Sequence, residues 1–359
     1  MAARWSERRA TALWLAPLPD CLGEADRPPL APNDLWLGRG DLPADRTQPE
    51  LTWDPDSGPL VVAGPTDSGR TTLLATLAAQ ARSRGLDPVW LPSDPREAGR
   101  TVGLLRTREN WLLLVDDGAR ALAGLAEVDR GARHEDLVNM LAWGKPIALA
   151  LPLSGPQRLA SHASVRVVLT GGDPSDEALW SLPRSLQGLG RAPGRAAIGT
   201  GGEWIEAQVA RLPAATPRPL VASLPTQLAL DALPGMTDDG LVPIGVGGDD
   251  ASVVRLDPRR PVIVVGDSGR ARESVAAAIS QSGQRVGSAI RVTSVENPLV
   301  VPRTDLEAAA VVVATPTCRL VADVCTSDVA GLVDPRPVPG RVVVIVDGTA
   351  QAVQLATAS

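Results

Sequence analysis

Hydrophobic positions in the first half of the chain alternate between short continuous runs and helical spacing. The continuous runs, which are typical of buried parallel strands, are residues 59–63, 111–115, 145–153 and 165–170. Residues 71–84 instead place Leu and Ala on one face of a predicted helix that ends before Gly85. Residues 118–128 and the stretch between the last two runs also predict helices. This alternation predicts an α/β fold with a parallel sheet covered by helices on both faces.

The loop between the first strand and the first helix has a phosphate-binding pattern. Residues 64–72 read Gly-Pro-Thr-Asp-Ser-Gly-Arg-Thr-Thr. The pattern requires Gly, four residues, Gly, Lys and then Ser or Thr, so Arg70 stands where the lysine belongs. A strand, a glycine loop and a helix in this order point backbone N–H groups at a phosphate. The predicted phosphate-binding residues are Gly64, Pro65, Thr66, Asp67, Ser68, Gly69, Arg70, Thr71 and Thr72. The alternative is a tight strand-to-helix turn without a ligand.

Two carboxylates follow the next buried strand. Asp116 and Asp117 come directly after residues 111–115. We expect this strand to lie beside the loop strand, so that Asp116 holds Mg²⁺ together with the Thr71 hydroxyl. Asp117 is a candidate for activating water, although it is one methylene shorter than the glutamate often found there. The alternative is a pair that ends the strand and caps the next helix.

Composition and charge narrow the class of protein. The chain has 359 residues, a length sufficient for two domains. Of these residues 44% are apolar and 21% are charged, which is typical of a globular protein. A net charge of −6 argues against a protein that coats nucleic acid through a generally basic surface. Residues 205–359 contain no aromatic side chain, so this part cannot stack on bases and must build its core from Val, Ala, Leu and Ile.

Cysteine usage and hydropathy predict a cytoplasmic protein. Cys21, Cys318 and Cys325 have no metal-ligand spacing, and their odd number suits free thiols in a reducing compartment. The sequence shows no continuous apolar stretch of about 18 residues. We therefore expect any association with a membrane to be through another chain.

The sequence repeats one plan. Residues 192–210 align without gaps on 338–356, and both stretches contain Pro-Gly-Arg followed by Gln-x-Ala. Asp-Ser-Gly-Arg occurs at 67–70 and again at 267–270, each time after an apolar strand. A repeat this long indicates tandem domains that arose by duplication.

The two copies are unequal. The second is shorter and has no strand ending in an acidic pair. Gly266 and Gly269 are separated by two residues, and Ala271 offers no hydroxyl for Mg²⁺, so we expect the second copy to bind no nucleotide. The predicted boundaries are an extended N-terminal segment at 1–50, a nucleotide-binding domain at 51–210, a Pro-rich linker at 211–224 and a degenerate domain at 225–359.

The order of these motifs resembles the FtsK/SpoIIIE family of P-loop ATPases. The match rests on Trp-Leu-x-Pro-Leu-Pro at 14–19 with the Leu-Gly stretch at 37–41, the loop at 67–72, the strand at 112–117 and the repeated Pro-Gly-Arg motif. The closest similarity is to the later ATPase domains of the EccC proteins of type VII (ESX) secretion in actinobacteria.

The resemblance implies two tandem RecA-like P-loop domains, of which the second is truncated. It implies ATP and Mg²⁺ as cofactors and assembly into an oligomer. It also implies as partners other secretion subunits, a membrane-anchored ATPase and a secreted helical substrate. With Arg70 in the lysine position, we expect weak or absent ATP hydrolysis and a regulatory role. The alternatives are a DNA translocase of the FtsK type and a structural pseudo-ATPase that binds no nucleotide.

Overall fold

A computed structural model describes residues 15–189, 192–213, 219–325, 328–329 and 331–358. Trp14, which belongs to the N-terminal motif, and residues 214–218 of the predicted linker lie outside the described residues.

Contacts divide the chain into two compact units. The first contains the described parts of Met1–Val89, Asn110–Ala119 and Met140–Pro217. The second contains Trp90–Glu109, Arg120–Asn139 and the described parts of Arg218–Ser359. The second unit therefore includes two segments that follow the loop at residues 64–72 in the sequence, Trp90–Glu109 and Arg120–Asn139. The domain boundaries inferred from the sequence stay a prediction.

The described residues form sixteen strands and eight α-helices. The strands are β1 (Leu35–Asp41), β2 (Glu50–Trp53), β3 (Leu60–Gly64), β4 (Asp87–Trp90), β5 (Trp111–Val115), β6 (Ile147–Pro152), β7 (Val165–Leu169), β8 (Arg195–Thr200), β9 (Glu203–Val209), β10 (Val242–Gly247), β11 (Ser252–Leu256), β12 (Val262–Val265), β13 (Val292–Val295), β14 (Ala310–Ala314), β15 (Arg341–Val346) and β16 (Thr349–Leu355). The helices are α1 (Arg70–Ser83), α2 (Pro95–Leu105), α3 (Gly118–Glu127), α4 (Ala132–Ala142), α5 (Pro174–Leu179), α6 (Gly269–Arg285), α7 (Arg303–Ala308) and α8 (Cys318–Val324). In the described ranges, no helix has both the length and the hydropathy that crossing a bilayer requires.

The first sheet has nine strands in the order β2-β1-β9-β8-β7-β3-β6-β5-β4. The strands β7, β3, β6 and β5 run parallel to one another. This confirms the α/β class with parallel strands. The sheet as a whole is mixed, because β8 and β9 form an antiparallel hairpin and β1 and β2 extend it. The hairpin turns at Gly201 and Gly202, whose φ angles of +59° and +95° suit a two-residue turn.

The predicted place of the acidic strand was wrong. We expected the strand that ends before Asp116 to lie beside the loop strand, but β6 lies between β3 and β5. Helix α1 contacts both β5 and β6 as well as β3, so it crosses this part of the sheet. The start of α1 therefore reaches the end of β5 even though the two strands are not neighbours.

Gln80 links helix α1 to strand β1 of the first sheet through hydrogen bonds. Its side chain is 1% exposed. Its Oε1 accepts a hydrogen bond from Trp36 N at 2.8 Å, and its Nε2 donates to Trp36 O at 2.9 Å. A buried amide that satisfies both backbone groups of one residue stabilises the helix position in a way that an apolar side chain cannot.

The second sheet has seven strands in the order β11-β10-β16-β15-β14-β12-β13. One buried cluster joins this sheet to α6 through Val275, Ala278 and Ile279. Another joins it to α8 through Leu320, Val321 and Val324. The first cluster is entirely aliphatic, and the second contains only Cys325 besides aliphatic side chains, as we expected for a region without aromatic residues.

Six strands have the same arrangement in the two sheets. The order β2-β1-β9-β8-β7-β3 corresponds to β11-β10-β16-β15-β14-β12. In the second sheet β13, which follows α6, pairs directly with the loop strand β12. The second sheet thus has no counterpart of the two strands that separate β3 from β4. The duplication inferred from the sequence stays a prediction.

The second unit also buries an ionic cluster. The Asp334 carboxylate lies 3.6 Å from Arg96 Nε and 3.5 Å from Arg341 Nη1, and these three side chains are at most 10% exposed. Burial raises the pKa of Asp334, although both arginines oppose that shift. Burial likewise lowers the pKa of Arg341. The cluster therefore stabilises the unit less than its number of charges suggests.

Replacing Gln80 by Met tests the attachment of α1. The change keeps the volume but leaves both backbone groups of Trp36 unpaired, so we expect the free energy of unfolding to fall by about 2 to 4 kcal/mol. Urea denaturation followed by circular dichroism measures this loss. The control is Gln281→Met at an exposed position of α6, where the expected change is within about 0.5 kcal/mol. Equal stability of the two variants would contradict the attachment.

Candidate functional site

The glycine loop closes tightly against the end of its strand. A Cβ atom at Gly64 would lie 2.5 Å from Ser68 Oγ and 3.0 Å from Leu169 Cβ. A side chain at position 64 would therefore require Ser68 and Leu169 to move. Asp67 and Gly69 have φ angles of +60° and +101°, and these two left-handed residues turn the chain into α1.

Helix α1 begins without a side-chain cap. Its N-cap residue is Gly69, which has no side chain to accept a hydrogen bond. Within the described residues, Leu73 N donates to Gly69 O at 2.9 Å, whereas the amides of Arg70 and Thr71 donate to no backbone acceptor. Unsatisfied N–H groups at a helix N-terminus form an anion-binding site together with the helix dipole.

A hydroxyl and a carboxylate meet at the same helix end. Thr71 Oγ1 donates a hydrogen bond to Asp116 Oδ2 at 2.8 Å, and both residues are exposed. The contact joins the first turn of α1 to the residue after β5. Hydroxyl and carboxylate oxygens are ligands that suit Mg²⁺. The two predicted metal ligands are therefore brought together, and their chemistry fits the metal.

Arg70 and Asp117 flank this pair. Arg70 is the first residue of α1, and within the described residues its guanidinium has no ion-pair or hydrogen-bond partner. Asp117 is exposed and has a φ of +57° in the turn between β5 and α3. The next residue, Gly118, is buried, and a Cβ there would lie 2.3 Å from Leu149 Cδ1. The turn is therefore tight, and it holds both aspartates at the end of the strand.

Each unit has a cavity beside its Pro-Gly-Arg motif. The larger one, about 840 Å³, belongs to the first unit. The loop residues Pro65–Gly69 line it on one side, and Pro193, Gly194 and Gln208 line it on another. In the second unit the matching residues Pro339, Gly340 and Gln354 line a cavity of about 590 Å³. Cavities of this size are typical of small-molecule sites.

The second loop closes on itself. Ser268 Oγ accepts a hydrogen bond from Ala271 N at 3.3 Å and so caps α6. Arg272 donates from Nη1 to the carbonyl oxygen of Gly266. Helix α6 begins at Gly269, one residue earlier than α1 begins after Gly69. Because of this shift, the serine that belongs to the loop in the first unit becomes the helix cap in the second.

A glutamine that was not among the predicted site residues supports each Pro-Gly-Arg motif. Gln208 Nε2 donates to Pro193 O at 2.8 Å, and Gln354 Nε2 donates to Pro339 O at 2.9 Å. The glycine of the motif is also required, because a Cβ at Gly194 would lie 2.7 Å from Gln208 Nε2. The coincidence of Pro, Gly and Gln in both copies was the signal that could have revealed this contact.

No protein-family model and no curated protein matches the chain. Solved structures are similar. EssC (ATPases 2 and 3) from Geobacillus thermodenitrificans is 12% identical with a TM-score of 0.49, covering 96% of this chain and 100% of that chain. Thermomonospora curvata EccC (ATPases 2 and 3) in complex with a signal sequence peptide is 15% identical with a TM-score of 0.46 and the same coverage. The cytoplasmic domain of the Thermomonospora curvata type VII secretion ATPase EccC is 14% identical with a TM-score of 0.47, covering 96% of this chain and 64% of that chain.

These similarities name the same group of proteins as the motif resemblance.

Replacing Ser268 by Ala tests whether the second loop is self-capped. Loss of the cap should lower the free energy of unfolding by about 1 kcal/mol, because Ala271 N then has no acceptor. The measurement is urea denaturation. The matched control is Ser274→Ala, at an exposed position of the same helix, which should change stability by less than about 0.5 kcal/mol. If the two variants behave alike, Ser268 does not act as a cap.

Proposed function

We propose that the chain is an FtsK/SpoIIIE-type P-loop protein whose first unit binds ATP with Mg²⁺. The proposal rests on the contact of 2.8 Å between Thr71 Oγ1 and Asp116 Oδ2 at the uncapped start of α1. A phosphate-binding helix end whose loop lines a cavity, and a pair of Mg²⁺ ligands at that same helix end, are the two parts that a nucleoside triphosphate requires. The self-capped helix α6 supports a second unit that holds no nucleotide.

In this proposal each loop residue has a separate task. The amides of Arg70 and Thr71 bind phosphate oxygens, and the Arg70 guanidinium binds two of them at once because its donors form a planar fork. Thr71 and Asp116 hold Mg²⁺, which would neutralise charge on the phosphates. Asp117 is the candidate for orienting water.

Turnover is proposed to be weak. Arg70 replaces a compact ammonium by a larger planar group, and Asp117 reaches less far than a glutamate. We infer a low-activity or regulatory ATPase component of a type VII-like secretion machine. Its proposed partners are other secretion subunits, a membrane-anchored ATPase and a secreted helical substrate, and its proposed place is the cytoplasm. The net charge of −6 favours protein over DNA as cargo.

Calorimetric titration of the full chain tests nucleotide binding. We expect ATP with Mg²⁺ to bind, and Arg70→Ala to weaken its affinity by about tenfold or more, because a charge-assisted hydrogen bond is lost. The matched control is Arg270→Ala in the second loop, which should leave the affinity unchanged.

Two results of this titration would contradict the proposal. No binding of ATP or ADP with Mg²⁺ would favour a structural pseudo-ATPase. An equal loss of affinity in Arg270→Ala would show that the second loop also binds phosphate.

Replacing Asp116 by Asn tests the proposed Mg²⁺ ligand. The variant's affinity for ATP should be insensitive to removal of Mg²⁺ by EDTA, whereas the wild type should lose affinity.

Steady-state phosphate release tests the low activity. We expect fewer than about one turnover per second, below the usual range of enzymes. Arg70→Lys restores the compact point charge, so it should raise the rate if the loop residue is what limits turnover. A wild-type rate at or above about one per second would show that the site is a working motor. Arg270→Lys is the control, with no expected change.

A further inference from the structure

Gln208 carries a buried acceptor that no described residue satisfies. The residue is 1% exposed and lines the cavity of the first unit. Its Nε2 donates to Pro193 O, which fixes the orientation of the amide. Among the described residues, no donor reaches its Oε1. Buried acceptors without a partner are rare in folded proteins, and each calls for a physical explanation.

In the second unit, the glutamine that corresponds to Gln208 has a protein donor for its acceptor oxygen. Gln354 Oε1 accepts a hydrogen bond from Arg341 Nε at 3.1 Å. Strand register pairs Arg341 with Gln354 just as it pairs Arg195 with Gln208. Arg195 instead turns to Glu206, with 3.4 Å between Nη1 and Oε1. The acceptor is therefore paired in the second unit, whereas in the first it is buried and no described donor reaches it.

The position of Gln208 suits the base of a nucleotide. Its strand β9 lies three strands from the loop strand β3 in the sheet order. With neighbouring strands about 4.8 Å apart, the two are separated by about 14 Å. One cavity is lined by both the loop and Gln208. A nucleotide with its phosphates on the loop would thus extend its base towards Gln208.

We propose that Gln208 Oε1 accepts a hydrogen bond from the exocyclic amino group of adenine. This rests on the proposed nucleotide binding by the first unit. Oε1 can only accept, so it pairs with an amino group and is repelled by the carbonyl oxygen that guanine carries at the same position. A site that hydrogen-bonds one substrate group discriminates against analogues that lack it. Gln208 is therefore a specificity-determining residue.

The test compares ATP with purine riboside triphosphate, which has hydrogen in place of the amino group. Each is titrated with Mg²⁺ into the full chain by calorimetry. Wild type should bind ATP about tenfold more tightly. In Gln208→Met the two affinities should become equal, even if both fall. Gln208→Glu also loses the bond to Pro193 but keeps an acceptor, so it should retain the preference. Gln354→Met is the matched control and should keep the tenfold ratio.

The outcomes separate this inference from the proposed function. Equal affinities of wild type for the two nucleotides overturn the role of Gln208 and leave nucleotide binding intact. A tenfold preference that survives in Gln208→Met also overturns it, because another group then reads the base. If neither nucleotide binds the wild type, the proposed function fails and this inference fails with it. If Gln208→Met does not fold, Gln208→Asn replaces it: the shorter amide withdraws the acceptor by one methylene, so the preference for ATP should be lost, and a preference that persists overturns the inference.

Discussion

The first turn of a helix leaves backbone N–H groups without partners, and each unit of this chain deals with that constraint differently. In the second unit, Ser268 caps α6 by accepting from Ala271 N, and Arg272 donates to the carbonyl oxygen of Gly266, so one N–H group of the helix end is satisfied by a side chain of the loop. In the first unit, Gly69 offers no side chain and the amides of α1 stay open. An open helix end beside a cavity is stable in water and becomes more so when an anion replaces that water. The difference follows from loop length, since two fewer residues between the glycines bring the serine to the cap position.

The sheets provide the same support for two different loops. Six strands have a common order, and both Pro-Gly-Arg motifs are held by a glutamine on the strand that pairs with the arginine. What differs are the groups that face the cavity. In the second unit, Gln354 is saturated by Arg341 and the helix is capped. In the first unit, both the helix end and Gln208 keep unused hydrogen-bonding capacity. A cavity with open groups at two separated points suits a ligand that spans them.

Much of this arrangement could be predicted from local pattern. The glycine loop, the helix after it and the pairing of Thr71 with Asp116 follow from motif spacing, because each depends on residues near in sequence or on a known site geometry. The position of β6 between β3 and β5 could not be predicted, since continuous apolar runs indicate burial but not neighbours. Gln208 was missed because a polar residue in a strand is usually read as solvent-exposed. Ser268 was missed because it aligns with Ser68, and the alignment concealed a helix start shifted by one residue.

The exchange of lysine for Arg70 has a meaning that depends on what surrounds it. In a loop that had lost its other groups, a guanidinium would be one more sign of decay. Here Thr71 still donates a hydrogen bond to Asp116, and Gly64 still packs so closely on Ser68 that a side chain there would require its neighbours to move. These contacts keep the loop geometry and the ligand pair that the proposed nucleotide site requires, while Asp117 is one methylene shorter than a glutamate. A planar donor can hold phosphate oxygens firmly in the ground state, and binding that is equally strong before and during a reaction does not accelerate it. The retained and altered residues therefore fit a site that holds a nucleotide better than it turns one over.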